Sequence, residues 1–344
     1  MTPRRLLLLA ATVLGAGAWT AFPAPGGSKD EVGQRALPAG ASGHGHRGVI
    51  AITKVNESGN PDSPGARITA LRVVEVFPRG DVGREAPSIG YAAGTLARGV
   101  LGTVGVEADG SARFEVPAGV DFYMQALDER GRAIVAMRSA TRLRPGETRV
   151  CGGCHDPARG TEPAGSPEPL AWQKPPARLE PESHGSYPLS FPRLVQPILD
   201  RNCIGCHDGR SGRPDLRSHL FETENKDEIS RADRLCGVES LYNGWTHSYV
   251  DLRKYAWFAA DGDGVSLGKE AAPDRCEFGA RASQLMQRLD CDHGNCGLSD
   301  EDRHRIALWL DCGSPFYGAY HDAAAQAGGG LVPPRRGYLP EFEN

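Results

Sequence analysis

Between Gly48 and about Val150 the apolar positions recur with the period of strands. Ile50 and Ile52 alternate with their neighbours, and Leu71, Val73, Val74 and Val76 form a dense β-branched run that stops at Pro78. Val104, Val106 and Ala108 stand against Ala112, Phe114 and Val116 across Asp109-Gly110, a dipeptide suited to a type I′ hairpin. Phe122, Met124 and Ala126 give a further strand, which turns through Asp128 to Gly131 into Ile134 to Met137; Arg144-Pro145-Gly146 marks the next turn. Short strands separated by turn residues predict an antiparallel β-sandwich-like domain over 48–156.

The pattern then changes twice. Prolines at 157, 163, 167, 169, 175, 176, 181 and 188 make 157–188 an extended, semi-rigid linker that wraps one domain around the other, with Trp172 as its anchor. From 189 to 320 the period is helical. Val195, Ile198 and Leu199 share one face, and a second short helix spans Ser283 to Leu289. Ser299 caps a closing helix with Asp302 at its third position and Ile306, Ala307, Trp309 and Leu310 on its buried side. The aromatics Tyr242, Trp245, Tyr249, Tyr255, Trp257 and Phe258 are dense enough to fill a core. Asp261-Gly262-Asp263-Gly264 lacks the later ligands of a calcium loop and reads as a turn.

The N-terminus has the layout of an export signal over 1–18. Arg4 and Arg5 precede the apolar run Leu6 to Leu14, and Ala16-Gly17-Ala18 offers a cleavage site. The run is too short for a membrane span, so the mature chain is expected to be soluble, periplasmic or otherwise exported, after a flexible Gly/Pro-rich leader over 19–47. His44 and His46 at the end of that leader read as solvated side chains. Residues 321–344 form a C-terminal tail. The net charge of −4 gives no reason to expect a nucleic acid partner or an anionic membrane surface.

Nine cysteines in an exported chain need an accounting. Four lie in two C-x-x-C-H patterns, Cys151-Gly152-Gly153-Cys154-His155 and Cys203-Ile204-Gly205-Cys206-His207. That pattern attaches haem c: two thiols add to the two vinyl groups, and the adjoining histidine supplies an axial nitrogen to iron. Two copies imply two haems, with His155 and His207 as proximal ligands. A zinc site or a disulfide would use the same cysteine pairs, but neither explains a histidine directly after each pair. Cys236, Cys276, Cys291, Cys296 and Cys312 remain, and in an oxidising compartment they are expected mostly to pair, with one left over.

In small cytochromes the haem-motif helix is followed by a loop carrying the distal ligand and then by a closing helix. Here that loop, Cys291 to Cys296, holds His293 and no methionine, which makes His293 the expected sixth ligand of the second haem; His247 and His219 stand next in line. The alternative is a loop histidine held by a Cys291–Cys296 disulfide. For the first haem, Met124, Met137 and His184 are nearest in sequence, and the two methionines suit core filling better than ligation. The fold class expected is therefore α+β multidomain, an antiparallel β-sandwich-like domain followed by a mainly α, cytochrome c-like domain.

Val100-Leu101-Gly102-Thr103-Val104 with GVEADGSARFEVPAG, followed by MQALDERGRAIVAMRSATRLRPGETRVCGGCH, resembles the middle domain of the hydrazine synthase alpha subunit family. SFPRLVQPILDRNCIGCHDG and LSDEDRHRIALWLDCGSPFYGAY resemble its C-terminal haem domain. The resemblance implies a two-haem c-type protein whose second haem lies between two histidines. Two departures are expected to matter. The family's N-terminal β-propeller has no counterpart ahead of residue 48, and the iron-binding tyrosine four residues after the first motif's histidine is replaced by Arg159. Hydrazine synthesis is therefore not expected. What remains is electron transfer between the haems and a redox partner protein, a haem enzyme acting on a small nitrogen or oxygen species at an open first haem, or a zinc-binding interaction protein. Electron transfer ranks first, because no acid–base groups assemble around a pocket.

Overall fold

The computed structural model describes residues 46–57, 67–80, 87–91, 95–137, 139–153, 167–210, 212–221, 244–259, 264–265, 279–291 and 293–335. All of these belong to one compact unit, Leu37–Asn344. The export signal, most of the leader, the turn at Asp261 to Asp263, and Cys154, His155, Arg159, Cys236 and Cys276 lie outside the described residues. No helix among the described residues is long and apolar enough to cross a membrane.

Strand β2 (Ala70–Val76) is buried along nearly its whole length because both of its faces are covered. It sits inside a four-stranded antiparallel sheet of order β3-β2-β5-β6, with β3 at Arg98–Gly105, β5 at Phe122–Leu127 and β6 at Ala133–Ala136. Leu71, Val73, Leu101, Val104, Phe122 and Ala126 face one apolar cluster, which Ile50, Ile52, Phe114 and Val116 of a second sheet complete. The opposite face carries Val74, Val100 and Tyr123 into a larger cluster with the helices. Side chains alternate across a strand, so a strand covered on both faces must be apolar at nearly every position.

The second sheet is mixed. Strand β1 (Arg47–Ile52) lies between β4 (Ala112–Pro117), antiparallel, and β7 (Thr148–Cys151), parallel, with Ile52 opposite Cys151. This corrects two expectations. The sandwich is not antiparallel throughout, because β7 returns beside β1 in the same direction. The strands flanking Asp109-Gly110 also do not pair with each other: β3 bonds to β2 and β4 to β1. The turn itself forms, with Glu107 N donating to Ser111 O at 2.8 Å and Gly110 at φ 84°. A type I′ turn needs positive φ at both central residues. Here Gly110 alone has it, and the Asp109 carboxylate instead accepts from Ser111 N (3.0 Å), Ser111 Oγ (2.7 Å) and Leu170 N (2.8 Å). The chain therefore steps from one sheet to the other, and each strand presents its apolar face to the shared cluster.

The described part of the proline-rich segment, 167–188, runs along the edges of both sheets. Ala177 bridges to Phe114 of β4, and Glu180 bridges to Thr103 of β3. Covering exposed strand edges in this way satisfies backbone groups that would otherwise face solvent or another chain. The buried anchor is Ala171, beside a half-buried Trp172.

Beyond it come helices α1 (Phe191–Leu194), α2 (Gln196–Asn202), α3 (His247–Leu252), α4 (Gly279–Ala282), α5 (Gln284–Asp290), α6 (Asp300–Asp311) and α7 (Ala323–Ala327), with a small hairpin of Phe258–Ala259 and Gly264–Val265. The fold is thus α+β. Phe191 is the hub of the helical core, with ring centroids 5.2 Å from both Tyr249 and Trp309 and 5.9 Å from Phe316. The aromatics expected to fill a core do so at Trp245, Tyr249 and Trp257, all buried.

One buried ionic group fastens the helices to the sheet. Arg72 of β2, fully buried, donates to Asp311 Oδ2 of α6 (3.2 Å), Gln125 Oε1 (3.0 Å), Gly131 O (2.8 Å) and Glu182 Oε1 (3.3 Å). Asp311 also accepts from Ala133 N (2.9 Å) and Ala280 N (2.8 Å), and its carbonyl accepts from Gln125 Nε2 at 2.7 Å. Burial pushes the Asp311 carboxyl up, and Arg72 opposes that push. Burial also works against the Glu182 carboxylate, but His304 and Arg72 together hold it down at about 2.

Removing one partner of such a pair leaves an uncompensated buried charge. Asp311→Ala is expected to lower unfolding free energy by about 3–5 kcal/mol, read as a shift of the urea midpoint.

Candidate functional site

The second C-x-x-C-H pattern is wound onto the end of a helix. Pro192 and Pro197 occupy the first turns of α1 and α2, where a missing N–H costs nothing. Helix α2 ends as Cys203 N donates to Leu199 O (2.8 Å), and the chain continues as a turn in which His207 N donates to Cys203 O (3.0 Å). Cys203 is half-buried and Cys206 exposed. Burial, together with neighbouring Cys296 and Asp302, pushes the Cys203 thiol up to about 11.

His207 is held from behind. Its Nδ1 lies 3.3 Å from Pro214 O, and its own carbonyl accepts from Leu216 N at 3.0 Å. A proton on Nδ1 satisfies that carbonyl and leaves Nε2 with its lone pair, the form a metal requires. Burial pulls the imidazole pKa down, in the same sense.

His293 faces this ring, with centroids 6.0 Å apart and planes inclined at 38°. Two imidazoles on opposite sides of one metal ion, each bonded at about 2 Å, have centroids roughly 6 Å apart, so the pair suits an ion between them. His293 opens the 3₁₀ turn His293–Asn295, in which Gly294 (φ 67°) and Asn295 (φ 52°) are both left-handed. Behind that turn, Ser299 caps α6 by accepting from Asp302 N at 3.1 Å, as the sequence led one to expect. Arg201 Nη2 of α2 donates to Asp302 Oδ1 at 2.8 Å, and Arg303 bonds to Leu289 O. Helix α6 is thus bonded both to the helix that carries Cys203 and to the helix that precedes His293.

Of the first pattern, Cys151, Gly152 and Gly153 are described. Cys151 closes β7, and its carbonyl accepts from Thr53 N at 3.1 Å. A Cβ at Gly153 would meet Lys54 O at 2.9 Å, so the close approach of these segments requires glycine there. Met124 and Met137 pack against the two apolar clusters, in keeping with core filling.

The pairing expected of the remaining cysteines is not formed among the described residues: Cys291, Cys296 and Cys312 are free thiols. Cys312 is fully buried at the end of α6, whereas of the two loop cysteines Cys291 is exposed and Cys296 half-buried.

Two features escaped the sequence reading. One is the Pro214 carbonyl behind His207. The other is a group formed by Asp215, His219 and His247, whose donor atoms all lie within 4.8 Å of one another. His219 and His247, considered above as possible partners for His207, lie against each other instead, with centroids 4.2 Å apart and planes inclined at 34°. No local spacing signals that group, because His247 comes from a distant part of the chain.

Residues 66–156 match the hydrazine synthase alpha subunit middle domain. Over that stretch the chain is similar to the hydrazine synthase alpha subunit. Hydrazine synthase subunit alpha of Kuenenia stuttgartiensis is 30% identical over 112 residues, which make up 33% of this chain and 13% of that subunit. The solved Kuenenia stuttgartiensis hydrazine synthase superposes with a TM-score of 0.57 at 18% identity, covering 87% of this chain and 45% of that one. The likeness to the family is therefore one of fold over most of this chain, and the chain spans less than half the length of the solved relative.

A left-handed residue other than glycine or asparagine costs about 1–2 kcal/mol. Gly294→Ala is expected to lower stability by about that amount and to displace His293, visible as a change in the chemical shifts of the His293 and His207 ring protons.

Proposed function

We propose that this chain is an exported dihaem c-type cytochrome that passes electrons between its two haems and a redox partner protein. The observation that carries the reading is the His207–His293 pair, 6.0 Å between centroids, at the end of the helix that bears Cys203 and Cys206. These residues fit haem c: two thiols on one turn, a neighbouring imidazole oriented through Nδ1, and a second imidazole at the spacing of a shared metal. Cys203 and Cys206 would hold the group covalently, with His207 and His293 as its axial ligands. Cys151, Cys154 and His155 would hold a second haem at the end of β7. The helices from 189 to 320 form, on this reading, a cytochrome c-like domain. When bound, such a group supplies reversible one-electron chemistry at iron.

The protein's own part would be to hold the His207 and His293 rings in place. Pro214 O sets the tautomer of His207, the Gly294–Asn295 turn sets the place of His293, and Arg201–Asp302 keeps their two supports in register. Residues fixed in this way would let a bound haem take up and release an electron with little rearrangement around it, which supports electron relay over substrate binding. The apolar run at Leu6 to Leu14 supports export to a compartment in which haem is attached.

Replacing both Cys203 and Cys206 by alanine is expected to halve the haem-to-protein ratio measured as the pyridine haemochrome; an unchanged ratio overturns the assignment. His293→Ala is expected to leave covalent haem intact and convert one haem from low to high spin in optical and electron-resonance spectra. Unaltered spectra would place the sixth ligand elsewhere.

A further inference from the structure

We propose that Asp215, His219 and His247 form a binding site for a divalent cation of the zinc class, distinct from the haem-attachment residues. Their donor atoms already lie within 4.8 Å of one another, against roughly 3.3 Å for ligands around a tetrahedral zinc, a gap that side-chain rotation closes. Two imidazoles and one carboxylate are the donor set that zinc favours, with a fourth position left for water.

The backbone beneath the three residues is already assembled. Phe221 N donates to Trp245 O (2.8 Å), His247 N to His219 O (3.0 Å) and Ser248 N to Arg217 O (3.3 Å), while Leu220 bridges to Thr246. Asp215 N is fixed by Asp251 Oδ2 at 2.7 Å. The ligands thus come from two segments, 215–221 and 245–251, that lie side by side before any ion arrives. His219 is exposed, which gives an ion access from solvent. Asp215 Oδ2 already lies 3.5 Å from His219 Nε2.

One group opposes binding. Arg217 donates to both oxygens of Asp215, at 2.9 and 2.7 Å, so a cation shares the carboxylate with a guanidinium. Asp215 Oδ1 accepts from both Arg217 N and Nε, but Oδ2 accepts from Nη2 alone and keeps a lone pair on the side of His219, so sharing is chemically allowed, although like charges weaken it.

A cation here would act as a clip. Asp215 bridges to Asp208, and Leu216 N holds the carbonyl of His207, so the ion would fasten to α3 the segment that supports His207. The site depends on the haem reading only for this consequence, not for its chemistry.

The test is calorimetric titration of the haem-loaded full chain with Zn2+, accompanied by metal analysis after dialysis. One Zn2+ per chain is expected to be lost, or weakened roughly 100-fold or more, in both His219→Ala and His247→Ala. Arg217→Gln is expected to tighten binding several-fold, a gain that misfolding would not produce. The parent and each variant are compared by far-ultraviolet circular dichroism and by haem content, so a failure of haem attachment is seen separately. No Zn2+ uptake by the parent overturns the proposal, as does uptake that is unchanged in His219→Ala and His247→Ala.

Discussion

The contact on which the arrangement depends is the buried pair of Arg72 and Asp311. A guanidinium with no access to water must find its partners inside the protein, and here they come from β5, from the turn before β6, from the covering segment and from the end of α6. Desolvating two charges is costly, and the return comes only when every donor and acceptor is placed. That demand fixes the end of α6 against the sheet. The start of α6 is fixed separately by the Ser299 cap and by Arg201. A helix held at both ends gives the preceding loop, and with it His293, one position relative to His207.

The central sheet explains why so much of this chain behaves as one body. Its two faces serve two apolar clusters, one shared with the mixed sheet and one with the helices. The β-rich and helical parts therefore share a wall. Helix packing is read directly by β2 and β5, whose residues alternate between Leu71, Val73, Phe122 and Ala126 on one side and Arg72, Val74, Tyr123 and Gln125 on the other. The proline-rich segment seals the outer edges of both sheets and also supplies Glu182 to the ionic group.

The similarity to the hydrazine synthase alpha subunit middle domain covers strands β2 to β7, and the likeness of fold to the solved hydrazine synthase extends over most of the chain. Fold likeness does not carry chemistry with it. The electron-relay reading instead draws on this chain's own residues: a histidine pair with the spacing of a shared metal, and a carbonyl behind the His207 ring.

Much was legible in the residues alone. Strand positions at Ile50, Leu71 to Val76, Phe122 to Ala126 and Ile134 followed from side-chain alternation, and the helices at Val195 to Leu199, at Ser283 to Leu289 and after Ser299 followed from helical spacing and capping, because these are local properties of the backbone. The C-x-x-C-H spacing is equally local, so its candidates could be named without a fold. Sheet partners were not legible. Asp109-Gly110 looks the same whether its flanking strands pair or part, and only the competing faces of β1 and β2 decide. The parallel return of β7 was likewise set by what lies across the core. The Pro214 carbonyl behind His207 and the meeting of Asp215 and His219 with His247 depend on loops closed by long-range contacts, whose cost and reward are paid between residues far apart in sequence. Sequence determined which residues could carry the chemistry; tertiary packing decided which of them meet.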